Sequence, residues 1–513
     1  MPEGALTEEE MLERARRRNA EATRKALAEF SPMWAQGGRN VIYLQKEEPI
    51  TEDNIVEILN DAKAKHLENV IAIDYLQNYM KGVQPILHRI KDVRPNINNR
   101  IVENHAHEIV SFKTGYEFGQ PIQYVQHGRF HEPEGNQEKD DEYIVWLNKM
   151  MFEQEKQAKD IAVGEDMAIC GVGYRMPYVL DESDLESPFG IMILDPKTTL
   201  VIRSNEGNKP VVCAVSYSVN NDKEMNIVAY TQSHIFTLTG KYLFSGLEVT
   251  DAKPNTLTLI PIVEYVNNRS RLGSFEIVLP LLDALNKATS DRLNDIEQFV
   301  QALLWFSNCE IDEGGLSELL ELGLVQTKST PQYEAKVSYL TQNLNQAETQ
   351  VLIDNLYEKI LTIAGVPDRM SNVNRNTGQA VMLASGWSIA ESHARAKEPL
   401  FAQSEKEMLR VIFRILRITP KDALKGFSEN FKLSDIEIKF TRNRNENLLV
   451  KTQGLVQLLE SGIHPRIAIT SVDLFSDPEM VYEESKDSLG QMQNKKNEQP
   501  TMPSPAQNVQ VDL

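Results

Sequence analysis

Cysteine is scarce in this chain, with three residues, Cys170, Cys213 and Cys309, in 513. Their number is odd, they lie far apart, and none has a CxxC or Cys/His ligand spacing, so neither a disulfide scaffold nor a zinc module is expected. Long apolar runs are missing too, since none approaches the ~20 residues that span a bilayer. The N-terminus opens on Pro2, Glu3 and the acidic run Glu8-Glu9-Glu10, without the basic start and apolar centre of a signal peptide. Synthesis and folding in a reducing cytoplasm are expected. Positive charge is in deficit as well, with 54 Lys and Arg against 74 Asp and Glu and a net charge of −20. A protein that grips nucleic acid by neutralising many phosphates carries clustered Lys and Arg, so this chain is not expected to hold DNA tightly.

The motifs of catalysis are absent. There is no G-x-x-x-x-G-K-[ST] loop to cradle phosphate, no G-x-S-x-G elbow, no H-E-x-x-H helix and no G-x-G-x-x-G between a strand and a helix. No enzyme, cofactor or metal is expected. Gly171-Val172-Gly173 reads as a tight turn. His105 and His107 lie two apart on a helix and point away from each other, so one is expected buried and the other exposed.

What is present suits a sizeable core, since 41% of the residues are apolar. Residues 7–30 read as a polar helix whose thin stripe of Leu12, Ala15, Ala20, Ala26 and Leu27 needs a partner surface. More helices follow between 51 and 115, then a polar surface loop at 129–142 and a helix at 143–168. From 170 to 266 short β-branched and aromatic runs alternate with turn residues, which marks a mainly antiparallel β region. Asn205-Glu206-Gly207-Asn208 and Thr239-Gly240 supply turn chemistry there.

After Gly273 the chain turns helical. Phe275–Val300 carries Leu282, Leu285 and Leu293 on one face and Asp283, Asn286, Asp291 and Asp295 on the other, a solvated acidic face rather than a metal cluster. Pro280 marks its first turn or a kink. An excursion with strand-like runs and a small helix around Leu316–Leu322 precedes a second long helix, which opens at Asn345 and stops at Gly365 before Pro367. The stretch 368–378 is a polar loop. A kinked helix at 379–417, a half-buried strand at 433–442 and further helices to 486 follow, and 487–513 reads as a disordered tail. The fold class is α+β.

This order of parts resembles the portal proteins of tailed double-stranded DNA bacteriophages. So do the segments NNRIVENHAHEIVSFKTGYEFGQPI (98–122), PIVEYVNNRSRLGSFEIVLPLLDALNKATSDRLNDIEQF (261–299) and IEIKFTRNRNENLLVKTQGLVQLLESG (436–462). The resemblance covers about 70–486. It implies a ring of twelve copies at a capsid vertex, through which DNA is packaged and ejected. It divides the chain into an N-terminal helical extension (1–70), a wing (71–273) and a first stem helix (274–300). A clip (301–342), a second stem helix (343–365) and a tunnel loop (366–378) come next. A kinked wing helix with its returning strand (379–444), a crown (445–486) and the tail (487–513) complete it.

The implied partners are the other copies in the ring, terminase, the major capsid and scaffold proteins, the head-completion or adaptor proteins, and double-stranded DNA that passes without sequence specificity. Arg369, Asn372, Asn374, Arg375 and Asn376 would touch DNA from the loop, and Asp283, Asp291 and Asp295 are candidates to face the channel. The expected location is the virion, after assembly in the host cytoplasm. Two rival readings are another phage head component and a cytoplasmic enzyme with an unrecognised site.

Overall fold

A computed structural model describes residues 30–91, 95–126, 137–180, 187–241, 243–300, 303–307, 336–340, 346–368, 386–419, 432–442, 448–472, 474–475, 480–482 and 484–485. The expected N-terminal helix before Phe30, the helix near 316–322, the Asn345 cap, most of the polar loop and the tail lie outside them, as does Cys309. The chain divides into two compact units, Met1–Phe440 and Thr441–Leu513.

In chain order the first unit runs β1 (Ile42–Tyr43), α1 (Ile55–Met80), α2 (His105–Phe118), β2 (Gln123–Gln126), α3 (Gln137–Glu153) and α4 (Lys156–Cys170). The strands β3 (Val172–Val179), β4 (Phe189–Leu194), β5 (Thr199–Arg203), β6 (Val211–Val219), β7 (Glu224–Thr231), β8 (His234–Lys241), β9 (Ser245–Pro254) and β10 (Val263–Val266) follow. Then come α5 (Leu279–Val300), β11 (Leu303–Ser307), β12 (Lys336–Leu340), α6 (Gln346–Ala364), α7 (Trp387–Ile418) and β13 (Ile436–Lys439). The second unit holds α8 (Leu448–Glu460) and α9 (Pro465–Val472). Helices and sheets are both extensive, and the fold is α+β.

The largest sheet has the order β1-β5-β6-β7-β8-β9, antiparallel except for the β1–β5 pair. Alternation along β7 buries Met225, Ile227 and Ala229, which pack with Ile55, Leu59 and Ala62 of α1. One sheet face is thereby closed by a helix, as an amphipathic strand requires. A second sheet, β10-β3-β4, is also antiparallel.

Several local expectations need correction. The loop expected over 129–142 is helical from Gln137, because α3 begins inside its polar stretch. The single helix expected over 143–168 is broken at Glu155, whose φ of 51° no helix accepts. Gly171 is indeed the left-handed cap after α4, and a Cβ there would lie 2.1 Å from the Arg271 carbonyl oxygen. Gly173, however, sits within β3. Thr239-Gly240 is part of β8, and the reversal comes later, at Leu243 and Phe244, both with positive φ.

Pro280 occupies the first turn of α5, where its missing N–H costs nothing. Leu279, Leu282 and Leu285 of that helix share a core with Ile360, Leu361 and Ala364 of α6 and with Ile73, Leu76, Ile109 and Val110 from α1 and α2. The two long helices are thus built into the body of the first unit.

Candidate functional site

The long pair α5 and α6 is held along its length by the helices around it. On α5, Asp283, Asn286, Ser290 and Asn294 recur every three or four residues and form one buried polar stripe. Ser290 Oγ accepts from the Ile101 amide at 2.9 Å, Asn286 Oδ1 from the Glu103 amide at 2.8 Å, and Asn294 Oδ1 from the Asn99 amide at 2.7 Å. The extended segment 99–103 is therefore laid against α5 by side chains that satisfy its backbone donors. A buried amide without such a partner would cost about 1–3 kcal/mol.

Asp283 begins this stripe. Its carboxylate accepts from Tyr79 Oη at 2.8 Å and from the Ser31 amide at 2.6 Å, and it is 2 % exposed. Burial raises its pKa against the opposing pull of Ser31 and Tyr79. The reading of Asp283 as part of a solvated, channel-facing acidic face is thereby corrected, because the residue is spent inside the body. Asp291 is half-buried and bound by Arg89 Nη2, and Asp295 is exposed. The three acids belong to different surroundings. Their equal polarity hid this, and the signal that could have revealed it is the uninterrupted spacing of small polar side chains 283, 286, 290 and 294.

Helix α2 works as a splint across three other helices. At its N-terminal end His105 Nδ1 meets Glu108 at 2.9 Å and Nε2 meets Glu103 at 3.2 Å, while its ring lies 4.6 Å from that of Tyr357 on α6. Burial alone would lower the His105 pKa, but the hydrogen bonds to Glu103 and Glu108 outweigh it and raise the value. Glu103 also accepts from Thr289 on α5 at 2.8 Å. His105 is half-buried and His107 exposed, close to the expected split. Among the described residues no group of three His, Cys, Asp or Glu side chains is placed to hold a metal ion.

Further along α2, Lys113 Nζ donates to the Gly365 carbonyl at 3.0 Å, where α6 ends. Gly365 has a φ of 65°, and a Cβ there would meet His393 Nδ1 at 2.3 Å, so glycine is required twice over. At the C-terminal end of α2, Tyr116 donates to Glu391 at 2.7 Å and Lys397 to Glu117 at 3.0 Å, which fastens α7. Gly386, φ 81°, starts α7 beside Pro367. The loop candidates Arg369, Asn372, Asn374, Arg375 and Asn376 lie outside the described residues, between these two glycines.

Helix α7 is anchored in turn by a buried ionic cluster. Glu405 receives Lys156 at 2.8 Å, Arg175 at 3.3 Å and the hydroxyls of Tyr124 at 2.5 Å and Tyr265 at 2.9 Å. Asp160 balances the same two cations at 2.8 and 2.5 Å. Desolvation works to raise the Glu405 pKa, but Lys156 and Arg175 prevail and lower it. With two acids and two bases, the cluster is neutral and fully hydrogen-bonded on its acids, as buried charge must be.

These helices lie within the reach of a known sequence family. The sequence model of the family described as "Phage portal protein, SPP1 Gp6-like" matches residues 59–499, most of the chain. The chain belongs to this portal family. A curated relative, the portal protein of Clostridium phage phiCD119 (strain Clostridium difficile/United States/Govind/2006), is 21% identical over 408 residues, covering 75% of this chain and 87% of its own. The resemblance read from the segments at 98–122, 261–299 and 436–462 is thus borne out, and the function is that of a phage portal protein. The portal family is structural, and its members serve the phage head in genome packaging and ejection. In this portal chain, no helix among the described residues is long and apolar enough to cross a membrane.

Proposed function

We propose that copies of this portal chain close into a ring of twelve at a capsid vertex, with α5 and α6 as the stem around a DNA channel. The supporting observation is the apolar surface left on two helices whose other faces are already packed. Val351 is 59 % and Leu352 53 % exposed on α6, Ile363 is exposed three turns further along it, and Ile296 is exposed on α5. Exposed apolar side chains gathered on one element mark contact surfaces, and a ring larger than a dimer needs a heterologous contact between unlike faces.

In this reading the segment 301–342, whose ends pair as the β11–β12 ribbon, is the clip that meets terminase and then the head-completion proteins. Capsid and scaffold proteins meet the wing, and residues 445–486 form the crown. The loop 366–378 would touch DNA transiently through Arg369, Asn372, Asn374, Arg375 and Asn376. Asp295 remains the stem acid available to repel phosphate, whereas Asp283 is buried and Asp291 is paired with Arg89. A channel acts by sparing phosphate contacts, because each added contact raises affinity and slows sliding.

Deleting 370–376 tests the loop's role. Rings should form as in wild type while DNA packaging fails, and wild-type packaging by the deletion would remove the assignment.

A further inference from the structure

Two buried arginines meet at one small cavity with part of their donor capacity unused. The cavity lies where α1, β3 and β5 come together, and its lining includes Asn69 of α1, Tyr174 of β3, Thr199 of β5, Arg39 and Arg271. The backbone amide of Arg39 donates to the Arg271 carbonyl at 3.1 Å, which holds the two segments side by side. Arg39 is 3 % and Arg271 8 % exposed, so water outside the fold does not solvate either charge.

Each guanidinium has one carboxylate partner, and each leaves an edge unused. Glu276 accepts from Arg39 only through Nη2, at 2.8 Å, and its other contacts are the Gly38 and Gly273 amides at 2.8 and 2.7 Å. Glu264 accepts from Arg271 Nη1 and Nη2 at 2.9 and 2.7 Å, and Arg203 Nη2 reaches the same carboxylate at 2.9 Å. Arg39 Nε and Nη1, Arg271 Nε and Thr199 Oγ1 are buried without a hydrogen-bond partner among the described residues.

Positive charge is in excess at the same place. Arg39, Arg203 and Arg271 share the two carboxylates Glu264 and Glu276, and no acid is among the described residues that line the cavity. Burial, helped by Arg271, outweighs Glu276 and lowers the Arg39 pKa, so Glu276 alone does not compensate the buried cation. His66, also in the lining, adds no charge near neutral pH, because burial lowers its pKa to about 4.

A buried charge needs both a counter-charge and satisfied hydrogen bonds. An occupant that meets both needs is negative, accepts from N–H and O–H donors in any direction, and is small. The cavity has a volume of about 10 Å³, room for one water-sized particle, which excludes phosphate, sulfate and carboxylates. A water would bring its own hydrogens towards the guanidiniums and leave the excess charge in place.

We propose that this cavity binds a single chloride ion against the unused donors of Arg39, Arg271 and Thr199. The ion is an internal counter-charge that ties α1, both sheets and the segment leading into α5. The proposal uses none of the ring or channel assignments.

Crystals of the full-length protein soaked in sodium bromide and measured at the bromine absorption edge test the site directly. An anomalous peak within hydrogen-bonding reach of Arg39 and Thr199 is expected; water without anomalous signal there, or bromide bound only elsewhere, would overturn the proposal. In solution, the urea midpoint of wild type should rise as chloride replaces gluconate at constant ionic strength, because a ligand of the folded state stabilises it. Thr199→Val removes the hydroxyl with little change of shape, and the rise should then set in at about tenfold higher chloride. Arg39→Lys keeps a cation for Glu276 while removing both unused donors, and it should lose the rise. A midpoint indifferent to the anion would overturn the site, and equal anion dependence in wild type and both variants would mean an adventitious ion only and overturn it too.

Discussion

Lys113, buried on α2, donates its ammonium to the carbonyl of Gly365, the residue that ends α6. One side chain thus ties the splint helix to the C-terminal end of α6, two residues before Pro367. Burial, with help from nearby Lys397 and against the pull of Glu117, brings the Lys113 pKa down to about 8.

The sign of the resulting pH dependence follows from proton binding. Above about pH 8 the folded protein releases the Lys113 proton, while the unfolded chain keeps it to about 10.5. Stability therefore gains from this group as pH rises through that window, by at most about 1.4 kcal/mol per pH unit. The urea midpoint of wild type relative to Lys113→Met should rise between pH 8 and 10. A difference that stays flat would show that Lys113 titrates normally.

Asp283 should behave as a structural acid. Its raised pKa means that a neutral amide fits the site tolerably, so Asp283→Asn should cost about 1 kcal/mol and Asp283→Ala about 2–3 kcal/mol, since the alanine leaves the Tyr79 hydroxyl and the Ser31 amide without their acceptor. Denaturant unfolding of the two variants measures this. Loss of DNA packaging in a stable Asp283→Asn ring would instead return the residue to the channel.

Glu405 is the acid on which the α7 anchor depends. Glu405→Ala would leave Lys156 and Arg175 facing Asp160 alone in a buried site, an imbalance that costs about 3–5 kcal/mol. A fall in melting temperature of several degrees is expected by calorimetry. Replacing Lys156 by Met in the same chain should recover part of it, because one surplus charge leaves with the lysine.

Much of the architecture was legible where local chemistry decides. Gly365 and Pro367 end α6 as read, because a left-handed glycine and a residue without an N–H leave the helix no continuation. The β5–β6 hairpin follows from the turn residues at 205–208. What escaped is set by distant partners. Ile436 of β13 pairs with Gln126 of β2, a register no local pattern encodes. The polar stripe of α5 looked like a wetted face, since nothing in an asparagine or a serine says whether water or the amides of residues 99–103 will satisfy it. Helical spacing puts Asp291 with the other acids, yet its partner is Arg89 from another segment. The break at Glu155 has no local sequence signal, since no glycine or proline announces it.

Closure of the proposed ring depends on the apolar surface that α5 and α6 leave exposed. Negative-stain electron microscopy of purified wild type beside a Val351→Asp, Leu352→Asp variant tests it most directly. Wild-type rings with a central hole are expected, together with a variant that stays folded but does not close. Compact single subunits in the wild type, or intact rings in the variant, would contradict it.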